Sequence, residues 1–266
     1  MKWYPAIDLS PADPDLVSLA LDDAGAIAIE ERDGVMRAFF STPTARDAAL
    51  ATLSGPFIAS SIDVPDEDWA RRSQENLQPV TVGRLTIVPR HTDRAARGQI
   101  AITIPPSMGF GTGHHATTRL CLAALQDIDV HGKTVLDVGT GSGVLAIAAA
   151  RLGASKAIGI DFDPDAIQSA NESLEANPDA VNVTFEVADL GTRALAKADV
   201  VTANLTGALL ERSAGLLWDA IRSGGTLILS GVMATERDAV VRAFRAGTVV
   251  WERHDDEWVG LAVKKS

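Results

Sequence analysis

Apolar and polar positions follow a short alternating pattern in the first quarter of the chain. The pattern predicts strands at 3–9 and 57–65, a hairpin across 26–41, and helices at 14–25 and 44–53. Asp33-Gly34 is expected to form the hairpin turn, because this dipeptide tolerates positive φ. The order β-α-β-β-α-β predicts a small α+β ferredoxin-like domain over residues 1–65.

From about residue 99 the pattern changes to continuous apolar strands that alternate with helical segments. The strand patterns cover 134–139, 156–161, 183–189, 198–205 and 225–232. Continuous apolar runs are typical of strands that are buried on both faces of a parallel sheet. The pattern therefore predicts that residues 99–266 form an α/β domain with a doubly wound Rossmann-like sheet. Two strands around an acidic turn at 249–265 predict a terminal hairpin that adds an antiparallel strand at the sheet edge.

Residues 66–98 continue neither the pattern of the first domain nor that of the second. We interpret them as a linker that contains a polar helix and a short strand. They carry Arg71, Arg72 and Glu75 but few large apolar side chains, so we expect the linker to permit domain movement. On this interpretation, a chain that starts near Arg97 should fold on its own.

Charge and composition narrow the range of partners. The net charge is −11, from 24 basic and 35 acidic residues, which repels the phosphates of nucleic acids. Such a surface suits a basic protein partner, or serves solubility alone. The sequence has no apolar run of the roughly 18 residues that span a membrane, and its one cysteine allows no internal disulfide. We therefore expect a cytoplasmic protein without nucleic acid or membrane contacts.

The strongest chemical signal is the segment VLDVGTGSGVLAIAAA at 135–150, a glycine-rich turn between a strand and a helix. Such a turn favours a nucleotide ligand above the helix N-terminus. The nicotinamide pattern requires a third glycine where Val144 stands, after Gly139 and Gly141. The carboxylate of Asp137 beside the loop would repel a pyrophosphate but suits a cofactor with a positively charged amino acid end.

Two further carboxylates end the next strands of the predicted sheet. Asp161 follows Gly139 by 22 residues, where a carboxylate accepts hydrogen bonds from both ribose hydroxyls. Asp189 ends the third strand, where it could meet an adenine amino group. Together these features resemble the class I S-adenosylmethionine-dependent methyltransferases. The alternative is a Rossmann-like domain that binds another nucleotide.

The fourth strand ends at Asn204, in the place where this fold presents the transferable methyl group. Enzymes that methylate planar amide or base nitrogens carry Asn-Pro-Pro-aromatic there, but Leu205 and Thr206 replace both prolines. The segment Ala-Asn-Leu instead resembles that of the bacterial methyltransferases of large-subunit ribosomal protein eleven.

The segment SMGFGTGHHATTRL at 107–120 also resembles that family. The matching residues are Phe110, Gly111, Thr112, Gly113, His115, Thr117 and Thr118. A phosphate loop would need a lysine that this segment lacks, and the remaining histidines are too scattered for a zinc site, so no metal is expected. We interpret the segment as a loop that covers the cofactor. A proton-accepting role for His114 or His115 is less favoured than a structural or substrate-contact role.

The resemblance covers essentially the whole chain and implies a specific activity. It implies transfer of methyl groups from S-adenosylmethionine to lysine ε-amines of large-subunit ribosomal protein eleven, with the N-terminal α-amine as a further acceptor. We expect the protein to be a monomer and to recognise this substrate through its ferredoxin-like domain. Carried over residue by residue, the cofactor contacts are Thr118, Gly139, Asp161 and Asn204, and Asn204 also orients the acceptor nitrogen. Gly141 and Asp189 complete the predicted cofactor site.

Three alternative functions share the same core. One is methylation of another protein or of a small-molecule amine, and the second is methylation of nucleic acid, which the acidic charge and the missing prolines disfavour. The third is a binding module without catalysis, which the intact glycine loop and Asn204 disfavour.

Overall fold

The structure is a computed structural model that describes residues 3–10, 26, 28–32, 35–53, 58–65, 78–90, 96, 98–105, 114–190 and 195–266. The chain divides into two compact units, Met1–Asn76 and Leu77–Ser266. The smaller unit contains β1 (Trp3–Ser10), β2 (Ala28–Arg32), β3 (Val35–Phe39), α1 (Pro43–Thr52) and β4 (Ile58–Pro65).

The smaller unit is an antiparallel sheet in the order β2-β3-β1-β4, the strand arrangement that the ferredoxin-like prediction requires. Helix α1 begins after Thr42, whose side chain accepts from the Ala45 N–H at 3.1 Å, and Pro43 occupies its first turn. Ala49 of this helix lies in one buried cluster with Ile7 and Leu9 of β1. The predicted helix at 14–25 and the turn at Asp33-Gly34 lie outside the described residues.

The larger unit contains three groups of elements. The first group is β5 (Val80–Val82), β6 (Leu85–Val88), β7 (Ile100–Thr103) and α2 (Ala116–Asp127). The second is β8 (Thr134–Val138), α3 (Val144–Arg151), β9 (Lys156–Asp161), α4 (Pro164–Glu175), β10 (Val183–Val187) and β11 (Ala198–Asn204). The third is α5 (Gly207–Arg212), α6 (Ala214–Ala220), β12 (Ile221–Met233), α7 (Arg237–Ala243), β13 (Thr248–Asp255) and β14 (Trp258–Lys264).

A seven-stranded sheet in the order β10-β9-β8-β11-β12-β14-β13 organises the larger unit. The first five strands are parallel, and β14 pairs antiparallel with both β12 and β13. The predicted α/β sheet and its terminal hairpin are therefore confirmed. The order reverses between β8 and β11, and ligands of doubly wound sheets bind at such a switch point. Among the described residues, no helix is long and apolar enough to cross a membrane.

The structure differs from the predicted linker in its second half. Strands β5, β6 and β7 form a three-stranded sheet, and Leu85 and Ile87 are buried in the same core cluster as α2 and α3. Gln126 of α2 accepts from the Arg84 N–H at 2.7 Å and donates to the Val82 carbonyl at 2.9 Å. The short apolar run LTIV at 85–88 is thus part of the larger unit, which begins at Leu77 rather than near residue 99.

The segment 206–221 also differs, because its single helical pattern forms two short helices, α5 and α6. Ser213 lies between them with φ −95° and ψ 5°, and it both ends α5 and precedes α6. This interruption lets α5 cover the ends of the strands while α6 packs along the sheet through the buried Leu217.

Candidate functional site

A cavity of about 620 Å³ lies over the carboxyl ends of the parallel strands, at the switch point between β8 and β11. Its volume falls within the range of small-molecule sites. All six residues of the predicted site line it: Thr118, Gly139, Gly141, Asp161, Asp189 and Asn204. Five of them lie at or just after the ends of β8, β9, β10 and β11, which the parallel register brings to one rim, and Thr118 lies in the first turn of α2.

The glycine loop after β8 allows neighbouring groups to approach its backbone closely. Gly139 has a φ of +72°, and a Cβ added there would lie 2.6 Å from the Leu205 Cδ2 atom. The N–H groups of Gly139 and Thr140 both donate to the Ile160 carbonyl at 2.9 Å, which fixes the loop to β9. Gly143, with a φ of +80°, is the N-cap of α3, so the loop leads directly into the helix N-terminus.

Asp161 holds the loop from the neighbouring strand. Its Oδ2 accepts from the Gly141 N–H at 3.0 Å and its Oδ1 from the Asp163 N–H at 3.1 Å. The residue is 9% exposed and lines the cavity, and each carboxylate oxygen has a second lone pair. The carboxylate is thus fixed in place and can still accept from ligand hydroxyls.

Asp137 takes a different position from the one expected for a contact with the cofactor. It is 1% exposed, and it is not one of the described residues that line the cavity. Its two oxygens accept from the hydroxyls of Thr140 and Thr202, each at 2.6 Å. Burial raises the pKa of Asp137 to about 6, and the two hydroxyls oppose that rise. Asp137 therefore connects the glycine loop to β11.

The N-terminus of α2 forms another wall. Thr118 is fully buried, and its hydroxyl has no hydrogen-bond partner among the described residues. His115 is the N-cap, and its ring Nδ1 accepts from the Thr117 N–H at 3.4 Å; it also lines the cavity, so both the structural and the substrate-contact role expected from the sequence stay open. Phe110 to Gly113 of the predicted covering loop lie outside the described residues.

The strand order distributes these groups along the rim. Asp161 ends β9 and Asp189 follows β10 on one side, the glycine loop follows β8 in the middle, and Asn204 ends β11. Beyond Asn204 the wall continues to Trp258 at the start of β14. The ring of Trp258 meets that of His115 edge to face, with centroids 5.0 Å apart.

Sequence reasoning missed several residues of the wall. These are Phe162, Leu190, Leu205, Leu209, Arg212, Gly231 and Trp258. Gly231 could have been suspected, since a glycine inside a strand pattern often marks a close backbone approach. It has a φ of +81°, and an added Cβ would lie 2.3 Å from the Leu205 carbonyl oxygen. Within the described part of the chain, no cluster of three or more His, Cys, Asp or Glu side chains is arranged to hold a metal ion.

Comparisons with known proteins agree with this arrangement. The sequence profile of the ribosomal protein L11 methyltransferase (PrmA) family matches residues 20–266. The chain is 40% identical over 248 residues to the ribosomal protein L11 methyltransferase of Deinococcus radiodurans, and the match covers 90% of this chain and 88% of that protein. It is 41% identical over 194 residues to the Escherichia coli protein of the same name, over 72% of this chain and 66% of that protein.

A solved structure gives the same result. The ribosomal protein L11 methylase of Lactobacillus delbrueckii subsp. bulgaricus superposes with a TM-score of 0.66 at 26% identity, over 71% of this chain and 100% of that one. The resemblance predicted from the sequence is therefore confirmed. Since the family profile spans nearly the whole sequence and the relatives match over most of their length, this chain belongs to the ribosomal protein L11 methyltransferase family.

Proposed function

We propose that this protein transfers methyl groups from S-adenosylmethionine to amino groups of ribosomal protein L11, in particular to lysine ε-amines and the N-terminal α-amine. Membership of the family makes the chain a methyltransferase with S-adenosylmethionine as its methyl donor. The observation that carries the proposal is the cavity at the switch point, which brings Thr118, Asp161 and Asn204 to one rim.

The residues of the cavity fit this cofactor. A fully buried hydroxyl without a partner, that of Thr118, is a group that a bound polar ligand would satisfy. A Cβ at Gly139 would clash with the Leu205 side chain, so the glycine lets the loop and Leu205 together form this part of the cavity wall. We propose that Asp161 accepts from the ribose hydroxyls, that Asp189 binds the adenine amino group, and that Gly139, Gly141 and Thr118 hold the remainder of the molecule.

The chain contributes mainly orientation and exclusion of water. When bound, the cofactor would supply an activated methyl group on a sulfonium sulfur, which would become a neutral thioether when the acceptor nitrogen is methylated. A lysine amine has an ordinary pKa of about 10.4 and must first release a proton to solvent. The mainly apolar wall around Leu205 and Leu209 favours the neutral amine, because burial disfavours its charged form. We propose that Asn204 orients that nitrogen toward the methyl group through an amide or backbone oxygen.

The division of labour between the units belongs to the same proposal. All proposed cofactor contacts lie in Leu77–Ser266, and no cofactor motif is present in the sequence of residues 1–65. We propose that the ferredoxin-like unit holds the ribosomal protein, and that the enzyme acts as a cytoplasmic monomer without binding nucleic acid directly.

Transfer of tritiated methyl groups into ribosomal proteins from a strain that lacks the enzyme tests this function. The expected result is one labelled protein, L11, whose hydrolysate contains methylated lysine, and loss of label with Asn204→Ala. A variant at Asp163, which is not among the residues that line the cavity and whose side chain caps α4, serves as the control. Label in another protein or in a small amine would support the alternative acceptors, and cofactor binding without transfer to any acceptor would indicate an inert module.

A further inference from the structure

Arg119 makes several contacts just behind the cavity. It lies in the second turn of α2, and its Nε and Nη2 atoms contact the Asp255 Oδ2 atom at 2.9 and 2.7 Å. Its Nη1 donates to the backbone carbonyl of His114, the residue that precedes the N-cap of α2. One guanidinium group therefore holds both the start of the helix and a distant acidic side chain.

Asp255 places this contact at the tip of the terminal hairpin. It is the last residue of β13 and pairs directly with Trp258, the first residue of β14. Trp258 in turn packs against His115, so Arg119–Asp255 and His115–Trp258 are two parallel contacts between α2 and the hairpin. His115 and Trp258 line the cavity, whereas Arg119 and Asp255 do not.

The strand order indicates which part of the reaction this wall serves. Trp258 lies beyond β11 and β12, on the opposite side of Asn204 from Asp161 and Asp189. If the two acids hold the nucleoside, as proposed above, the His115–Trp258 side is the side from which the acceptor amine approaches. This step of the argument rests on the proposed function.

We propose that Arg119, acting through Asp255 and the His114 carbonyl, is a positioning residue that fixes the His115–Trp258 wall for the acceptor amine. A guanidinium suits this task because its planar set of donors reaches two acceptors in different directions at once. The side chains of Arg119 and Asp255 are about one third exposed, at 32% and 31%, so their ion pair contributes little to stability. Its main effect is to fix the geometry of the wall.

The test compares Arg119→Gln and Asp255→Asn with a matched control, Arg237→Gln. Arg237 makes the same kind of contact, because it joins α7 to Glu252 of β13 at 2.7 Å with 32% and 27% exposure. It lies outside the cavity wall. The Asp255→Asn variant retains the bond from Arg119 to the His114 carbonyl, so it provides a folded variant if Arg119→Gln is unstable.

Two readouts separate positioning from a general loss of stability. In kinetics, Arg119→Gln and Asp255→Asn should lower kcat/KM for the acceptor about tenfold, while the cofactor Kd changes less than about threefold. In proton NMR, the His115 ring signal, assigned with His115→Asn, is displaced by the ring current of Trp258. That displacement should shrink in Arg119→Gln and Asp255→Asn. In Arg237→Gln, the kcat/KM for the acceptor and the displacement of the His115 signal should both stay at wild-type values.

Unchanged kinetics and an unchanged His115 signal in folded Arg119→Gln and Asp255→Asn would overturn the proposal, as would equal losses in Arg237→Gln. If the wild type transfers no methyl group to ribosomal protein L11, the proposed function fails. The NMR comparison still decides whether Arg119 positions the wall, because it requires no acceptor.

Discussion

Asp137 and Asp161 illustrate how position decides the role of a residue type. Asp161 ends its strand and lines the cavity, which its place after an apolar strand predicted. Asp137 lies two residues before Gly139, but its carboxylate accepts from Thr202, a residue 65 positions away in sequence. That partner depends on the pairing of β8 with β11, so the pattern around Asp137 alone did not predict it.

Replacing Asp161 with alanine should weaken binding of S-adenosylmethionine by about 1–3 kcal/mol, or roughly 5- to 160-fold, as for other charged hydrogen-bonding groups. The variant removes the proposed ribose contact and also the acceptor that holds the Gly141 N–H. Calorimetric titration measures the effect. Asp163→Ala removes the same charge two residues away and should bind normally, although it loses the cap of α4. Normal binding by Asp161→Ala would remove this residue from the site.

Asp137 should make stability depend on pH. Its folded pKa of about 6 lies above the ordinary value of about 3.9, because burial disfavours the carboxylate. Between about pH 4 and pH 6 the folded state keeps a proton that the unfolded chain releases, so the free energy of unfolding falls as the pH rises.

Urea unfolding of the wild type and Asp137→Asn at pH 4.5 and pH 7 isolates this contribution. The difference in unfolding free energy between the two proteins should shift in favour of the variant at pH 7, by about 2 kcal/mol. A difference that stays constant with pH would contradict the assigned pKa.

At the level of elements, the larger unit depends on a small sheet that the sequence did not assign to it. The seven-stranded sheet and its hairpin were predictable because buried parallel strands are continuous apolar runs. Strands β5 and β6 are three and four residues long, and such short runs are ambiguous without their partner α2. The break at Ser213 escaped prediction for a similar reason, because helical spacing continues on both sides of it.

A fragment that begins at residue 97 should therefore be much less stable than one that begins at residue 77. The shorter fragment loses the buried Leu85, Ile87 and Val88, each worth about 1.5–3 kcal/mol of burial, and exposes the surface of α2 beneath them. Thermal unfolding of the two fragments measures the difference. Equal midpoints would show that the small sheet does not support the core, in line with the sequence-based expectation that a chain starting near Arg97 folds on its own.

For the whole molecule, the division into two units was predictable from the change in periodicity, whereas the contacts that complete the site were not. The Arg119–Asp255 and His115–Trp258 contacts join residues more than 130 positions apart. No local pattern encodes such pairs, because they arise only when the terminal hairpin pairs with β12 and meets α2. The resemblance to a family predicted the cofactor residues, and the structure added the opposite wall of the cavity that they line.

The fragment of residues 77–266 should bind S-adenosylmethionine with a Kd within about threefold of the full chain, since every proposed contact lies in it. We expect it to methylate ribosomal protein L11 at least about tenfold more slowly at low substrate concentration, because it lacks the proposed recognition unit. Calorimetry and tritium transfer measure the two quantities. Full activity of the fragment would place recognition in the larger unit, and loss of cofactor binding would show that the two units depend on each other.

The cavity wall draws on residues from His115 to Trp258, and no shorter stretch of chain contains all of it. A ligand held there binds the completed fold and has no equivalent site in the unfolded chain. The cofactor is therefore thermodynamically linked to folding of the entire sheet, and at a hundred times its Kd it adds about 2.7 kcal/mol to the free energy of unfolding. The abundance of this enzyme in a cell should accordingly follow the supply of its methyl donor, since the unbound form opens more often to proteases.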